Sequence, residues 1–257
     1  MSLAGKTALV TGAARGIGFV ISRVLCERGM RVVINDRDPE ATEIAEQKLK
    51  QDRFEVAGLA ADVTRPADVQ NLFEAAEQRF GPLWLLVNNA GVFRAGSCET
   101  LPEQDWDETF AVDAKGVFLC SQAALRRMTM QRAGRIVVIS SIAGWITRTN
   151  QIAYCAAKAA AIHFARCLAV EAAPHGITVN CICPGMTDSA MLRDTAAARN
   201  VAIEDYLTMI PTGTLAEAED HAHTVVWLAS EEARHVTGQV ISVDGGQSLY
   251  HPLTLRR

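Results

Sequence analysis

The chain has 257 residues, of which 49% are hydrophobic and 21% charged, enough to bury the core of one large α/β domain. Its net charge of −4 shows no excess of Lys and Arg, which argues against a nucleic-acid-binding surface. Its seven cysteines lack Cys-x-x-Cys spacing, so neither a disulfide framework nor a metal site is expected. The amino-terminal residues lack the apolar core of a signal peptide, and no apolar run reaches the length of a membrane span. We therefore expect a soluble cytoplasmic protein without nucleic-acid or membrane partners.

Short apolar runs alternate with longer amphipathic segments along the chain. The predicted strands cover residues 7–10, 31–36, 54–60, 83–87, 135–141, 177–182 and 240–243. The predicted helices cover residues 16–28, residues 39–51, a segment from the N-cap Thr64 with Pro66 in its first turn, a long segment from the capping box Thr100–Glu103 to about residue 132, a segment through Tyr154 to about residue 173, and residues 215–228. Nearly continuous apolar strands separated by helices predict an α/β fold, with one domain over residues 1–257 and a parallel sheet covered by helices on both faces.

A glycine-rich turn directly follows the first predicted strand. Gly12, Gly16 and Gly18 are spaced G-x-x-x-G-x-G, with Arg15 and Ile17 between them, and lead into a helix. Glycines allow a tight turn and a close backbone approach, and the free N–H groups of a helix N-terminus bind a pyrophosphate. The spacing differs from the G-x-G-x-x-G fingerprint, so the position of the turn between a strand and a helix is what favours a dinucleotide site.

The second predicted strand ends in Asp36, eighteen residues after Gly18. An acidic side chain at this position accepts hydrogen bonds from the adenosine ribose hydroxyls and repels a 2′-phosphate, which favours NAD over NADP. Arg37 and Arg15 argue for NADP, since a guanidinium near the ribose can hold a phosphate. We therefore expect NAD as the cofactor, with NADP as the alternative.

Tyr154 and Lys158 stand four residues apart in a predicted helix, so their side chains share one face. A free tyrosine has a pKa of about 10 and is a poor base at neutral pH. A cation within roughly 4–6 Å lowers that pKa, and this ammonium together with a positively charged cofactor ring would bring it to about 7. Ser141, at the end of an apolar run, can place a hydroxyl beside the phenol. The alternative is an ordinary Tyr/Lys pair on a solvated helix.

The glycine-rich turn, the run Asn88-Asn89-Ala90-Gly91, and Ser141 with Tyr154 and Lys158 together resemble the short-chain dehydrogenase/reductase family. The resemblance extends over essentially the whole chain, and Ser141 lies thirteen positions before Tyr154, as in that family. It implies a Rossmann-type doubly wound sheet and an NAD-dependent oxidoreductase that transfers a hydride between the nicotinamide and a secondary alcohol or ketone, such as a polyol, a cyclic diol or a dihydrodiol. The alternatives are an NADP-linked ketone reductase of the 3-oxoacyl type and a dinucleotide-binding protein without catalysis.

The resemblance also implies a role for each matching residue. Tyr154 would be the general acid/base and also contact the cofactor, Lys158 would lower its pKa and bind the nicotinamide ribose, and Ser141 would hydrogen-bond the substrate oxygen. The other cofactor-binding residues it implies are Gly12, Arg15, Gly16, Ile17, Gly18, Asp36, Arg37, Asp62, Val63, Asn89, Ala90, Gly91, Pro184, Gly185, Thr187 and Ser189. Of these, Asp62 and Val63 would flank the adenine, and the last four would meet the nicotinamide and its carboxamide. Members of the family commonly form tetramers, so we expect a homotetramer in which the tail, residues 249–257, can lie near a neighbouring subunit.

One position departs from the family's pattern. The long helix of the family carries an Asn where this chain has Asp113, and that Asn holds a water that links the lysine to solvent. The Asp113 oxygens can hold the same water, but a carboxylate also favours the charged form of Lys158 and weakens its effect on Tyr154. We hypothesise that Asp113 keeps the water relay, acts with the catalytic residues and shifts the pH optimum upward; loss of activity is the alternative.

Substrate specificity is expected from loops beyond the carboxyl ends of the strands, here residues 92–99, 143–151 and about 186–214. The longest of these loops can form a mobile lid or simply pack as core. Arg94 and Arg148 lie in the two shorter loops, and either can grip a substrate carboxylate through two hydrogen bonds or remain solvated. The sequence does not identify the alcohol or ketone.

Overall fold

The sheet is built from seven short strands rich in apolar and β-branched residues. The computed structural model describes residues 2–199 and 201–249. Its strands are β1 (Thr7–Thr11), β2 (Arg31–Asp36), β3 (Val56–Ala60), β4 (Leu83–Asn88), β5 (Gly134–Ile139), β6 (Ile177–Pro184) and β7 (Val240–Val243). Most of their residues are buried, as expected for strands that are covered on both faces.

All neighbouring strands run parallel, in the order β3-β2-β1-β4-β5-β6-β7. The direction in which strands are added reverses at β1, since β2 and β3 lie on one side of it and β4 to β7 on the other. In an open α/β sheet, ligands bind beyond the carboxyl ends of the strands at such a reversal. The predicted doubly wound parallel sheet of the Rossmann type is confirmed.

Helices cover both faces of this sheet. They are α1 (Gly16–Glu27), α2 (Pro39–Gln51), α3 (Pro66–Phe80), α4 (Glu103–Phe110), α5 (Val117–Gln131), α6 (Ile152–Ala172), α7 (Ala190–Arg199), α8 (Ile203–Leu207) and α9 (Ala218–Ala229). One face of the sheet packs on α1, α2 and α9, through side chains such as Ile21 and Val225. The other packs on α3, α5 and α6, through side chains such as Phe73 and Ala161. These two apolar layers hold the helices against the sheet and thereby fix the positions of the loops at the carboxyl ends of the strands.

Two predicted helix caps are wrong, although Pro66 lies in the first turn of α3 as predicted. Thr64 does not cap α3, because its hydroxyl donates to the Asp62 carboxylate at 2.7 Å. Thr100 does not form a capping box, because its hydroxyl pairs with the Ser97 hydroxyl at 2.9 Å, and no side chain caps α4. In both cases a local turn takes the hydroxyl that would otherwise cap the helix. The helix predicted from residue 215 begins at Ala218, after a capping box formed by residues 217 and 220.

The long helix predicted to run to residue 132 is interrupted. A π-helical turn, Ala111–Gly116, separates α4 from α5. A π-turn inserts residues into the i→i−4 hydrogen-bond pattern and rotates the side chains that it carries, which sequence periodicity does not reveal. Asp113 sits in this turn and is fully buried.

Helix α6 is apolar along much of its length. Within Ile152–His175 a stretch of 18 residues has a mean hydropathy of 1.2, so this helix could cross a membrane by length and composition alone. This differs from the expectation that no apolar run is long enough. A core helix of a globular fold passes the same test. Ala157, Ala161, Ala165 and Ala169 recur every four residues and are buried, so small side chains let α6 lie close to its neighbours. The tail predicted to lie near a neighbouring subunit falls, from residue 250 onward, outside the described residues.

Candidate active site

A cavity of about 520 Å³ opens at the carboxyl ends of the strands, where the strand order reverses. It extends from the end of β2 to the start of α6. The predicted site residues that line it are Gly12, Arg15, Gly16, Ile17, Gly18, Asp36, Arg37, Asp62, Val63, Asn89, Ala90, Gly91, Ser141, Tyr154, Lys158, Pro184, Gly185, Thr187 and Ser189. Asp113 does not line it and lies behind Lys158. The structure therefore gathers residues from the whole sequence around one opening.

The glycine-rich turn packs tightly against the end of β4. Gly12 has φ +61°, and a Cβ at this position would lie 2.6 Å from the Cα of Ala90. The Asn89 amide donates to the carbonyls of Thr11 and Gly12, both at 2.9 Å, and clamps the turn to the next strand. Gly16 has φ +58°, with open space where a Cβ would be. This turn and the N-terminus of α1 together fit a phosphate group that approaches the backbone closely.

Acidic and basic side chains meet at the β2 end of the cavity. Asp36 and Arg37 both line it, and the guanidinium of Arg37 lies 3.4 Å from the Glu108 carboxylate. Asp62 accepts hydrogen bonds from the backbone and hydroxyl of Thr64, and these bonds hold the pKa of its carboxyl below the ordinary value against the opposing effect of burial. An adenosine bound here would therefore meet the carboxylates of Asp36 and Asp62. Of the two arginines in the lining, Arg15 and Arg37, the second is paired with Glu108.

Tyr154 and Lys158 lie one turn apart at the start of α6. The Lys158 ammonium lies 5.6 Å from the centre of the Tyr154 ring and donates to the Ile139 carbonyl at 3.3 Å. The Ser140 hydroxyl donates to the Lys158 carbonyl at 2.9 Å, which fastens α6 to the end of β5. The side chain of Ser141, the residue after Ser140, hydrogen-bonds the Tyr154 phenol. The three side chains predicted to act together therefore do lie together.

The protein's own groups do not make the Tyr154 phenol acidic. Burial raises the pKa of the phenol above its ordinary value and the Asp113 charge adds to the rise, whereas Lys158 and the Ser141 hydrogen bond oppose it. The sequence predicts a Tyr154 pKa near neutrality only when a positively charged cofactor ring acts together with Lys158. Because the protein alone leaves the phenol in its neutral form, that ring would have to supply the remaining shift.

Asp113 forms a buried pair with Lys158. One carboxylate oxygen accepts from the Val92 N–H at 2.8 Å, and the other lies 3.6 Å from the Lys158 Nζ. Burial alone would lower the pKa of Lys158, but the charges of Asp113 and Tyr154 outweigh burial and raise it above the ordinary value. The pKa of Asp113 is itself raised by burial, against the opposing effect of Lys158. The ammonium is therefore held in its charged form.

The substrate end of the cavity, beyond Tyr154, is mostly apolar. The residues that line it include Phe93, Ala143, Arg148, Gln151, Met186, Leu192 and Tyr206. The Phe93 ring meets the Tyr154 ring edge to face, with 5.3 Å between the centroids. Arg148 lines this end, whereas Arg94 is paired with Glu108 at 2.8 Å. Of the two candidate anion-binding arginines, the structure therefore brings only Arg148 to the cavity.

One residue that lines the site and one that lies behind it were not singled out from the sequence. Phe93 lies within residues 92–99, one of the loops expected to determine specificity, and directly after the Asn89-Ala90-Gly91 run and Val92. His221, whose ring lies 2.8 Å from the Thr187 hydroxyl, comes from α9, thirty-four residues further along the chain. No local pattern links Thr187 to His221, so this pair could be found only from the fold.

A larger cavity, of about 720 Å³, opens at the amino ends of the strands. Lys6, Trp84, Arg135 and Glu231 line it, and Glu231 pairs with both cations. It holds none of the predicted site residues, so size alone does not identify the functional site. Among the described residues, no three His, Cys, Asp or Glu side chains are grouped so as to hold a metal ion, and Cys181 and Cys183 are buried in the core.

The site and the fold are those of an oxidoreductase that acts on CH–OH or carbonyl groups with a nicotinamide dinucleotide. The short chain dehydrogenase family model matches residues 6–200, and the chain belongs to this family. The (2S)-[(R)-hydroxy(phenyl)methyl]succinyl-CoA dehydrogenase subunit of Thauera aromatica is 38% identical over 250 residues, which are 97% of this chain and 99% of the relative. The 2,3-dihydro-2,3-dihydroxybenzoate dehydrogenase of Bacillus subtilis (strain 168) is 36% identical over 252 residues, 95% of this chain and 97% of the relative. The solved structure of a variant actinorhodin polyketide ketoreductase with NADPH has a TM-score of 0.92 and 30% identity, covering 95% of this chain and 98% of that one.

Replacing Gly12 with Ala is expected to cost more stability than replacing Gly16 with Ala. Both residues have positive φ, so either substitution costs about 1–2 kcal/mol of backbone strain. The added Cβ at Gly12 would also collide with the backbone of Ala90, whereas that at Gly16 meets open space. Urea denaturation should show the free energy of unfolding falling by about 3 kcal/mol or more for Gly12→Ala, with the strain cost alone for Gly16→Ala. Equal losses would contradict the close packing of the turn.

Proposed function

We propose that the chain is an NAD-dependent dehydrogenase that exchanges a hydride between the nicotinamide and a secondary alcohol or ketone of the polyol, cyclic diol or dihydrodiol class. The observation that carries this proposal is that one cavity joins the glycine-rich turn and Asp36 at one end to Tyr154 and Lys158 at the other. A dinucleotide has its phosphates in the middle and its reactive ring at one end, which matches that arrangement. The bound nicotinamide supplies the hydride acceptor or donor.

The residues of the cavity divide along its length in this proposal. Gly12, Gly16 and the N-terminus of α1 hold the pyrophosphate, and Asp36 accepts from the ribose hydroxyls. Pro184, Gly185, Thr187 and Ser189 meet the nicotinamide end. Val63 and Asp62 flank the adenine, and the run from Asn89 to Gly91 forms the floor.

Tyr154 moves the proton of the reaction. In the oxidation direction its phenolate takes the proton from the substrate hydroxyl while the hydride leaves the carbinol carbon, and the C–O bond becomes a carbonyl. The Ser141 hydroxyl holds the substrate oxygen and stabilises its developing charge. Lys158 favours the phenolate through its charge and hydrogen-bonds the nicotinamide ribose.

Two other functions remain as alternatives. An NADP-linked reductase of the 3-oxoacyl type is favoured by the likeness to a ketoreductase with NADPH and by Arg15 and Arg37 at the cavity. We place NAD first because Asp36 is also there and Arg37 is paired with Glu108. A binding protein without catalysis is disfavoured, since Ser141, Tyr154 and Lys158 are assembled.

The cofactor proposal is tested by titration with NADH and NADPH. The wild type should bind NADH at least about tenfold more tightly than NADPH. Asp36→Ala should lose most of that preference, because a lost charged hydrogen bond is worth about 1.5–3 kcal/mol. Asp52→Ala, which removes an exposed carboxylate at the end of α2, is the matched control and should change neither affinity. Tighter binding of NADPH by the wild type would favour the reductase alternative.

A screen of NAD reduction across polyols, cyclic diols, hydroxy acids and dihydrodiols then identifies the substrate.

We also propose that Asp113 sets the pH dependence of turnover. Its carboxylate raises the pKa of Tyr154 and keeps Lys158 charged, so it shifts the oxidation rate toward higher pH. Asp113→Asn removes that charge with little change of shape, and the midpoint of the pH–rate profile for oxidation should fall by about one pH unit. Asp107→Asn, which removes an exposed carboxylate of α4, should leave the profile where it is. An unmoved or raised midpoint in Asp113→Asn would show that the carboxylate does not act on the phenol.

Arg148 is proposed to bind an anionic group of the substrate. The proposal is supported by the position of Arg148 in the lining of the cavity, whereas the ammonium of Lys158 is held by Asp113 and Ile139. Burial raises the pKa of the Cys155 thiol and the Arg148 charge opposes that rise, so the guanidinium lies close to the residue that follows Tyr154.

Replacing Arg148 with Met should therefore discriminate between substrates. For a hydroxy acid or a carboxylated dihydrodiol, kcat/KM should fall by about 10²-fold, as for a lost charged hydrogen bond, and for the neutral analogue by less than about threefold. Arg94→Met tests the second arginine and should affect both substrates alike, because Arg94 is paired with Glu108. A selective loss in Arg94→Met instead would assign the anion to the other loop.

The homotetramer and the cytoplasmic location stay predictions. Phe118 and Val170 are exposed on α5 and α6, the two long helices that we expect at subunit interfaces in tetramers of this family. Exposed apolar side chains on these helices agree with such a contact.

A further inference from the structure

His221 is a buried histidine that the proposed mechanism does not use. Its side chain is fully buried on α9, and its Nε2 lies 2.8 Å from the Thr187 hydroxyl. Thr187 lines the cavity at the end where the nicotinamide would lie, whereas His221 stands behind it and does not. The pair therefore connects a cavity residue to a titratable group outside the cavity.

The backbone around the pair is fixed. The segment that carries Thr187 forms a parallel bridge with Ala216, in which the Asp188 N–H donates to the Ala216 carbonyl at 2.9 Å. The Ala216 N–H donates to the Met186 carbonyl at 3.0 Å. Because α9 begins two residues after Ala216, the position of His221 relative to Thr187 is set by the main chain.

The hydrogen bonds around Thr187 select one tautomer of His221. Burial lowers the pKa of His221 to about 4, against the opposing charge of Asp220, so the ring is neutral at working pH and carries one N–H. Nδ1 has no hydrogen-bond partner in the described part of the chain. The Thr187 hydroxyl has one hydrogen, which can go either to the Gly185 carbonyl at 3.2 Å or to Nε2 at 2.8 Å. A proton on Nε2 lets both bonds form and leaves no buried N–H without an acceptor.

We propose that His221 is a positioning residue that donates from Nε2 to Thr187 and thereby presents the remaining lone pair of the Thr187 oxygen as an acceptor for the amide N–H₂ of the nicotinamide carboxamide. This inference rests on the proposed function, because it concerns the contact of Thr187 with the cofactor. The Thr187 hydrogen is then directed to the Gly185 carbonyl, and one lone pair of the oxygen accepts from His221. Toward the cavity the hydroxyl can therefore accept a hydrogen bond but cannot donate one. A carboxamide held by its amide N–H₂ group has one orientation, which fixes the face of the nicotinamide ring that meets the substrate.

The test is the affinity of the protein for two dinucleotides that differ only at the carboxamide. NADH and reduced 3-acetylpyridine adenine dinucleotide are titrated by fluorescence, and the second has a methyl ketone, which cannot donate. His221→Leu should weaken NADH binding by about 5- to 10-fold, as for one hydrogen bond, and binding of the acetyl analogue by less than about twofold. His221→Gln, which keeps an N–H donor, should recover most of the NADH affinity. It also keeps the test decisive if the leucine variant fails to fold.

The controls separate positioning from packing. His223→Leu changes an exposed histidine of the same helix and should leave both affinities unchanged. Thr187→Val should weaken NADH binding, and adding His221→Leu to it should cause no further loss, since the two residues act on one contact. Equal losses of both dinucleotides in His221→Leu, or additive losses in the double variant, would overturn the inference and leave a packing role. Failure of the wild type to bind NADH or NADPH would instead remove the proposed function, and this inference with it.

Discussion

The charge of Lys158 is enclosed by protein: its side chain is 6% exposed, its ammonium donates to the Ile139 carbonyl, and the Asp113 carboxylate lies 3.6 Å away. An ammonium in such surroundings keeps its proton only if an opposite charge compensates for the lost hydration, which Asp113 does. The cost of this arrangement falls on the neighbouring Tyr154, whose pKa the same carboxylate raises. The balance among these three groups determines when the phenol can accept a proton, so the proposed chemistry depends on it.

The fold explains how that balance is built. The parallel strands bring the carboxyl ends of β1, β5 and β6 to the same side of the sheet, where the glycine-rich turn, Ser141 and Pro184 line one cavity although they are far apart in sequence. The π-helical turn aims Asp113 into the space behind α6, and the bond from Ser140 to the Lys158 carbonyl fixes the start of that helix. Rigid elements therefore set the distances on which the electrostatics rests.

The sequence predicts the regular parts of this molecule well because they depend on local patterns. Apolar runs located the strands, and the spacing of Tyr154 and Lys158 placed both on one face of α6. The failures have two physical sources. The hydroxyls of Thr64 and Thr100 were assigned to helix caps but bond within local turns, and propensity cannot separate these two uses of one group. The pairing of Thr187 with His221 depends on how α9 packs beneath the sheet edge, which no local pattern encodes.

The central claim is that Tyr154 transfers the proton while Lys158 and the cofactor control its acidity. Turnover of Tyr154→Phe on a verified alcohol substrate, measured together with its affinity for NADH, tests this claim most directly. The account predicts that kcat falls by about 10³-fold, within the usual contribution of a general acid/base, while the dissociation constant for NADH changes by less than about threefold. Full turnover by the phenylalanine variant would contradict it, since no proton acceptor would then be needed at that position.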